Sequence, residues 1–157
     1  MVKVFLAGII QGSIAEKRIH RQDYRLRIKA ALHAAIPEVD ILDPIADHPN
    51  SLEYPPKRSE DVFFELMRRS GEVDVLVAFV PEASMGSAIE MWRAHEEGVL
   101  VLTISPMVHN WAIRFLSDRV FETLEGFEAA AANGELTRLV EQHGGTDYKE
   151  TRKAGKE

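Results

Sequence analysis

Four short apolar runs constrain this chain most: VKVFLAG (2–8), VDILDP (39–44), VDVLVAFV (73–80) and VLVLTI (99–104), with helical spacing between them. Runs that are apolar on successive residues, not alternate ones, suit strands buried on both faces. Strand and helix in strict succession require right-handed crossovers and a parallel sheet. The expected fold is therefore α/β, a three-layer flavodoxin-like or Rossmann-like parallel sheet of about five strands with helices on both faces.

Between the strands, apolar residues at Leu26, Ile28, Ala31, Leu32 and Ala35 predict a helix over 24–35, stopped by Pro37. Ser13 and Glu16 have the spacing of a capping box, a helix-start signal. The proline-rich segment IADHPNSLEYPPKRS (45–59) reads as a long loop without regular structure, of the kind that carries function. Val62, Phe63, Leu66 and Met67 predict an amphipathic helix over 60–69. Another helix is expected from Ser84 to Gly98. Beyond Ser105 and Pro106, further helices and a short edge strand near Val120 are expected.

A chain of 157 residues, 45% hydrophobic and 28% charged, fits one compact domain. Residues 1–143 carry it, and 144–157 form a polar tail. The formal charge of −6 repels phosphate backbones and argues against a nucleic-acid partner. No apolar run is long enough to span a bilayer, and no N-terminal segment has the pattern of a signal peptide, so no membrane partner and a cytoplasmic location are expected. There are no cysteines, and His48, His95 and His109 lie at no metal-binding spacing. A small-molecule substrate without metal or cofactor is expected.

Open parallel sheets bind ligands beyond the carboxyl ends of their strands. Four segments meet there: 8–13, 43–48, 81–87 and 105–110. In the third, Ser84 at the N-cap places Gly86 and Ser87 in the first helical turn, and Glu90 one turn later on the same face. A helical side chain leans toward the N-terminus, so Glu90 is aimed at the crevice as a candidate nucleophile. Gly86 leaves the space before it open, and the helix dipole favours its charge. A solvated helix acid is the plainer alternative. Asp43, Asp47 and His48 could contact a ligand, although Asp before Pro is also a common turn former. Lys17, Arg18 and Arg21 read as a solvated face.

These residues resemble the nucleoside 2-deoxyribosyltransferases and their hydrolytic relatives, the nucleoside 5'-monophosphate N-glycosidases. The similarity lies in VFLAG, VDVLVAF, the Ser-x-Gly-x-x-x-Glu segment SMGSAIE, and EEGVLVLTISP, over about residues 2 to 120. It implies that Glu90 attacks the anomeric carbon of a nucleoside or nucleotide, releasing the base and leaving a glycosyl-enzyme. Water or a second base then takes the sugar. An acid on the preceding helix assists the departing base, and Glu65 and Asp61 are the candidates. The resemblance further implies a homo-oligomer, a dimer or higher, in which Asn110 enters a neighbour's site; the alternative is a helix cap. Phe5 stands where deoxyribose-specific members have tyrosine. Gly8, Gln11 and Gly12 form the first loop, with Gln11 where nucleotide hydrolases carry a basic residue. Ser84 and Ser87 are candidates to hold a phosphate. A phosphoribohydrolase of the cytokinin-activating type, and a nucleotide-sensing module without chemistry, are the competing readings.

Overall fold

In a computed structural model that describes residues 1–144, five parallel strands form one sheet: β1 (Val2–Gly8), β2 (Val39–Leu42), β3 (Val75–Phe79), β4 (Leu100–Ile104) and β5 (Arg119–Phe121). Their order is β2-β1-β3-β4-β5, so the chain reverses direction across the sheet between β1 and β3. Strand ends diverge at such a switch point, which opens a crevice beyond their carboxyl ends.

The period of two divides each central strand between two cores. Val4, Leu6, Val75, Val77, Leu100 and Leu102 meet α1 (Tyr24–Ala35), α6 (Leu124–Ala132) and α7 (Glu135–His143) on one face. Phe5, Ala7, Leu76, Ala78 and Val101 face the opposite way. There they meet Met91 and Ala94 of α4 (Met85–Glu96) and Ile113 of α5 (Trp111–Leu116). Two further helices, α2 (Pro44–Asp47) and α3 (Pro56–Ser70), follow β2, and α3 packs beside α4. Truncating a fully buried core residue such as Leu102 or Leu76 to alanine would cost about 2–5 kcal/mol.

Three local expectations are corrected. Ser13 and Glu16 start no helix; residues 9–23 form an irregular loop, and α1 begins only at Tyr24. The segment 45–59 is not structureless. Pro44 opens α2 and Pro56 opens α3, because proline lacks only an N–H that the first helical turn leaves unused. The α1 stripe also differs, since Leu26 is 72% exposed whereas Arg25 is buried beside Ile28, Leu32 and Ala35. Positions 25, 28, 32 and 35 share one helical face, so an arginine occupies the top of the apolar stripe. All but the first residue of the 144–157 tail lies outside the described residues.

Candidate active site

Ser84 is the N-cap of α4: its hydroxyl accepts from the Ser87 amide at 3.4 Å and donates to the Ser87 hydroxyl at 3.1 Å. Ser87 is buried. A Cβ added at Gly86 would meet nothing within 4 Å, so the space above the first turn is open. Glu90 lies one turn further and is partly buried. Its side chain makes no hydrogen bond or ion pair with the described residues. Desolvation raises its pKa from 4.5 to about 8, and the positive charge of Arg25 works in the opposite direction. The residue as a whole keeps part of its surface in contact with solvent.

The first loop is anchored at the end of β1. Gly8 is required there because a Cβ would strike the Tyr24 hydroxyl. Gly12 has φ 55°, a left-handed conformation that disfavours other residues. Gln11 is exposed. The Tyr24 hydroxyl donates to the Ile9 carbonyl at 3.1 Å, and burial raises its pKa to about 12, so it stays protonated. Gln22 donates to the Ile9 carbonyl at 3.1 Å and to the His20 carbonyl at 2.8 Å. His20 lies 3.2 Å from Glu82 and ties this loop to the one that enters α4.

Beneath the loop is a charge cluster that the helical pattern did not reveal. Arg25 donates through Nη1 to the Leu6 carbonyl at 2.9 Å and to Asp43 at 3.0 Å, and through Nε to Gln22 at 2.8 Å. Its Nη2 is buried without a partner. Asp43 caps α2 by accepting from the Ile45 amide at 3.1 Å and also pairs with Lys29. The Asp43 oxygens are therefore engaged by the protein itself. A sequence signal existed, an arginine on an apolar helical stripe, because such a group must find a buried partner.

The other candidates are distributed differently. Phe5 is fully buried in the α4-side core. Asp61 and Glu65 are exposed on α3, paired with Lys57 at 2.9 Å and Arg69 at 3.8 Å respectively. Asn110 caps α5, accepting from the amides of Ala112 at 3.0 Å and Ile113 at 3.3 Å. A cavity of about 610 Å³ lies on the other side of the sheet, over Tyr24, Phe79, Ile104 and Leu124, and Glu90 does not line it. Among the described residues there is no cluster of three or more metal-binding side chains, and no helix is long and apolar enough to cross a membrane.

No family model matches the chain, and no curated protein matches it in sequence. Solved structures do match its fold. The 2-deoxyribosyltransferase of Bacillus psychrosaccharolyticus superimposes with a TM-score of 0.58 at 16% identity, over 80% of this chain and 90% of that one. A conserved protein of Enterococcus faecalis V583 gives 0.57 at 18% identity, over 85% and 98%. The CMP N-glycosidase BcmB of Clostridium botulinum gives 0.47 at 16% identity, over 83% and 98%. At these identities the first two likenesses are of fold alone. This chain has the five-stranded parallel α/β architecture of a 2-deoxyribosyltransferase, the family its motifs resemble.

Proposed function

We propose that the protein cleaves the N-glycosidic bond of a nucleoside or nucleoside 5'-monophosphate, with Glu90 as nucleophile. The observation that carries this reading is Glu90 itself, a partly buried carboxyl without a side-chain partner among the described residues, one turn beyond Gly86, where an added Cβ would meet nothing. Asp61 and Glu65, by contrast, are exposed and paired with cations. A partly desolvated carboxyl without a partner at the carboxyl end of a parallel sheet is poorly explained by stability and well explained by chemistry.

A Glu90 oxygen attacks C1', and the C1'–N bond breaks with its electron pair passing to the base, which takes up a proton. Water or a second base then adds at C1' and the carboxylate leaves, which balances the cycle. Attack requires the ionised form of Glu90. Desolvation opposes that form, so neighbouring positive charge becomes part of the mechanism. Asp61 and Glu65 remain candidates for protonating the base only if substrate or a second subunit draws α3 toward the crevice.

A second subunit fits the surface. Phe63, Phe64, Met85, Ile89, Trp92, Trp111 and Phe115 are exposed, and all belong to α3, α4 and α5 in the one helical layer that carries Glu90. Apolar residues gathered in this way mark an interface. A homo-oligomer packed through this layer would close the crevice and bring Asn110 toward a neighbour's site. Incubation of the purified protein with a panel of nucleosides and 5'-monophosphates, followed by chromatography for free base, tests the function. Base release is expected, whereas ligand binding without release would support a sensing module.

A further inference from the structure

The carboxyl ends of β3 and β4 border a space that the proposed reaction does not use. The cavity of about 610 Å³ there is lined by Tyr24, Phe79, Ile104 and Leu124, with Pro81 and Pro106. Phe79 and Ile104 are the last residues of their strands, and they pack with Tyr24 and Leu124 in the core under α1 and α6. The helix that carries Glu90, α4, packs on the opposite face of the sheet. A volume of this size, mostly apolar and with aromatic rings in its wall, is that of a small-molecule site. The wall is also preformed. The Tyr24 and Phe79 rings stack with 4.1 Å between centroids and 29° between planes. The Phe79 carbonyl accepts from the Ile9 amide and the Ile104 carbonyl from the Val80 amide, each at 2.9 Å, while the Tyr24 hydroxyl donates to the Ile9 carbonyl at 3.1 Å. Rings already held in place lose little freedom on binding, and they favour a flat aromatic guest.

The charges in the lining decide what kind of ring it suits. Arg21 and Arg27 stand there with Asp23, Glu122 and Glu125. Both arginines are committed: Arg21 donates to Asp23 at 3.2 Å, and Arg27 to Glu125 at 3.0 Å and Glu128 at 2.7 Å. Glu122 is exposed and makes no ion pair with the described residues. Three carboxylates against two engaged guanidinium groups repel an anion, so a phosphate-bearing ligand is disfavoured. Hydrogen bonding to a neutral ring is well provided for. Ser105 and Thr123, also in the lining, accept from the amides of Met107 at 3.1 Å and Gly126 at 3.0 Å, which leaves each hydroxyl proton to donate, and Glu122 can accept. We propose that this cavity is a second ligand site, and that it takes an uncharged planar heteroaromatic ring with donors and acceptors on its edge, a free nucleobase. The choice of nucleobase rests on the glycosidase reading, which releases one; the preference for a flat, uncharged guest does not.

The test is methyl NMR on the full chain labelled with carbon-13 at isoleucine. Ile104 reports the cavity, and Ile89, next to Glu90 on α4, reports the face of the proposed reaction; Ile104→Val and Ile89→Val assign the two resonances. The probes are adenine and uracil, compared with AMP, UMP and inorganic phosphate. A ring of roughly ten heavy atoms binds at about micromolar to millimolar strength, and at least one base should shift the Ile104 methyl saturably in that range. The monophosphates and phosphate should shift it about tenfold more weakly or not at all. Pro81→Trp and Pro106→Trp, at exposed positions of the lining, narrow the cavity, and each should weaken base binding about tenfold while unfolding stays cooperative. The proposal is overturned if neither base moves Ile104, if the response is confined to Ile89, if the monophosphates act as strongly as the bases, or if both tryptophan variants bind as the natural protein does. Base release without an Ile104 response removes this site and leaves the glycosidase reading standing. An Ile104 response to base, with no base released from any nucleoside or nucleotide, leaves this site standing and removes that reading.

Discussion

Arg25 of α1 and Asp43 at the end of β2 meet at 3.0 Å, both buried, and join the first loop of the crevice to the start of α2. Removing one partner of a buried ion pair leaves an uncompensated charge, which costs about 3–5 kcal/mol. Asp43→Ala should therefore lower the thermal midpoint by roughly ten degrees, at about 2–4 °C per kcal/mol for a chain of this size. Asp43→Asn, which can still accept from the Ile45 amide, should lose less. Calorimetry decides; equal and small losses in both would mean that the pair contributes little.

Glu90 should make stability fall as pH rises. Its folded pKa is raised to about 8 from 4.5, so between those values the folded chain binds more protons than the unfolded one. The stabilising protonated form is fully present below the unfolded value and is lost as pH climbs through the folded one. Glu90→Gln removes this penalty. Discounted for the part of the residue that solvent still reaches, the gain should be about 1–3 kcal/mol at pH 8 to 9 and close to nothing at pH 4. Thermal unfolding of both proteins across that range would show the gap widen. A constant gap would place Glu90 in full contact with solvent.

The apolar layer of α3, α4 and α5 should be covered in solution. Light scattering is expected to give a dimer or higher assembly, and Trp111→Glu, at a residue 77% exposed in the monomer, should dissociate it and reduce base release. A fully active monomer would remove Asn110 from any neighbour's site and leave it as the cap of α5.

Much of this was legible in the sequence, for identifiable reasons. The buried strands announce themselves because parallel sheets need unbroken apolar runs, and Ser84, Gly86 and Glu90 fall at positions fixed by helical spacing alone. What escaped were long-range partners. Nothing local says that Arg25 will meet Asp43, 18 positions away, so Leu26 was placed on the apolar stripe in its stead. The prolines mislead in another way: the proline-rich segment 45–59 reads as a loop, although Pro56, like Pro44 just before that segment, stands at the first helical position and starts a helix.

On the proposed reading, Phe5 would bear on sugar choice. It is fully buried on the core face beneath α4, and the family resemblance puts a tyrosine hydroxyl at this position. Ribosides should therefore be accepted, and Phe5→Tyr should shift kcat/KM toward deoxyribosides by about 5- to 30-fold, the equivalent of roughly 1–2 kcal/mol. Matched ribo and deoxyribo substrates give the ratio. An unchanged ratio makes Phe5 a core residue and nothing more.

The central claim is that Glu90 forms the bond to the sugar, and free-base release by the natural protein, Glu90→Gln and Glu90→Ala tests it most directly. Loss of a covalent nucleophile typically costs about 10⁴-fold or more, so both variants should fall at least that far while their unfolding stays cooperative. Turnover within about tenfold of the natural protein in both folded variants would contradict the account and return Glu90 to the status of an ordinary helix acid.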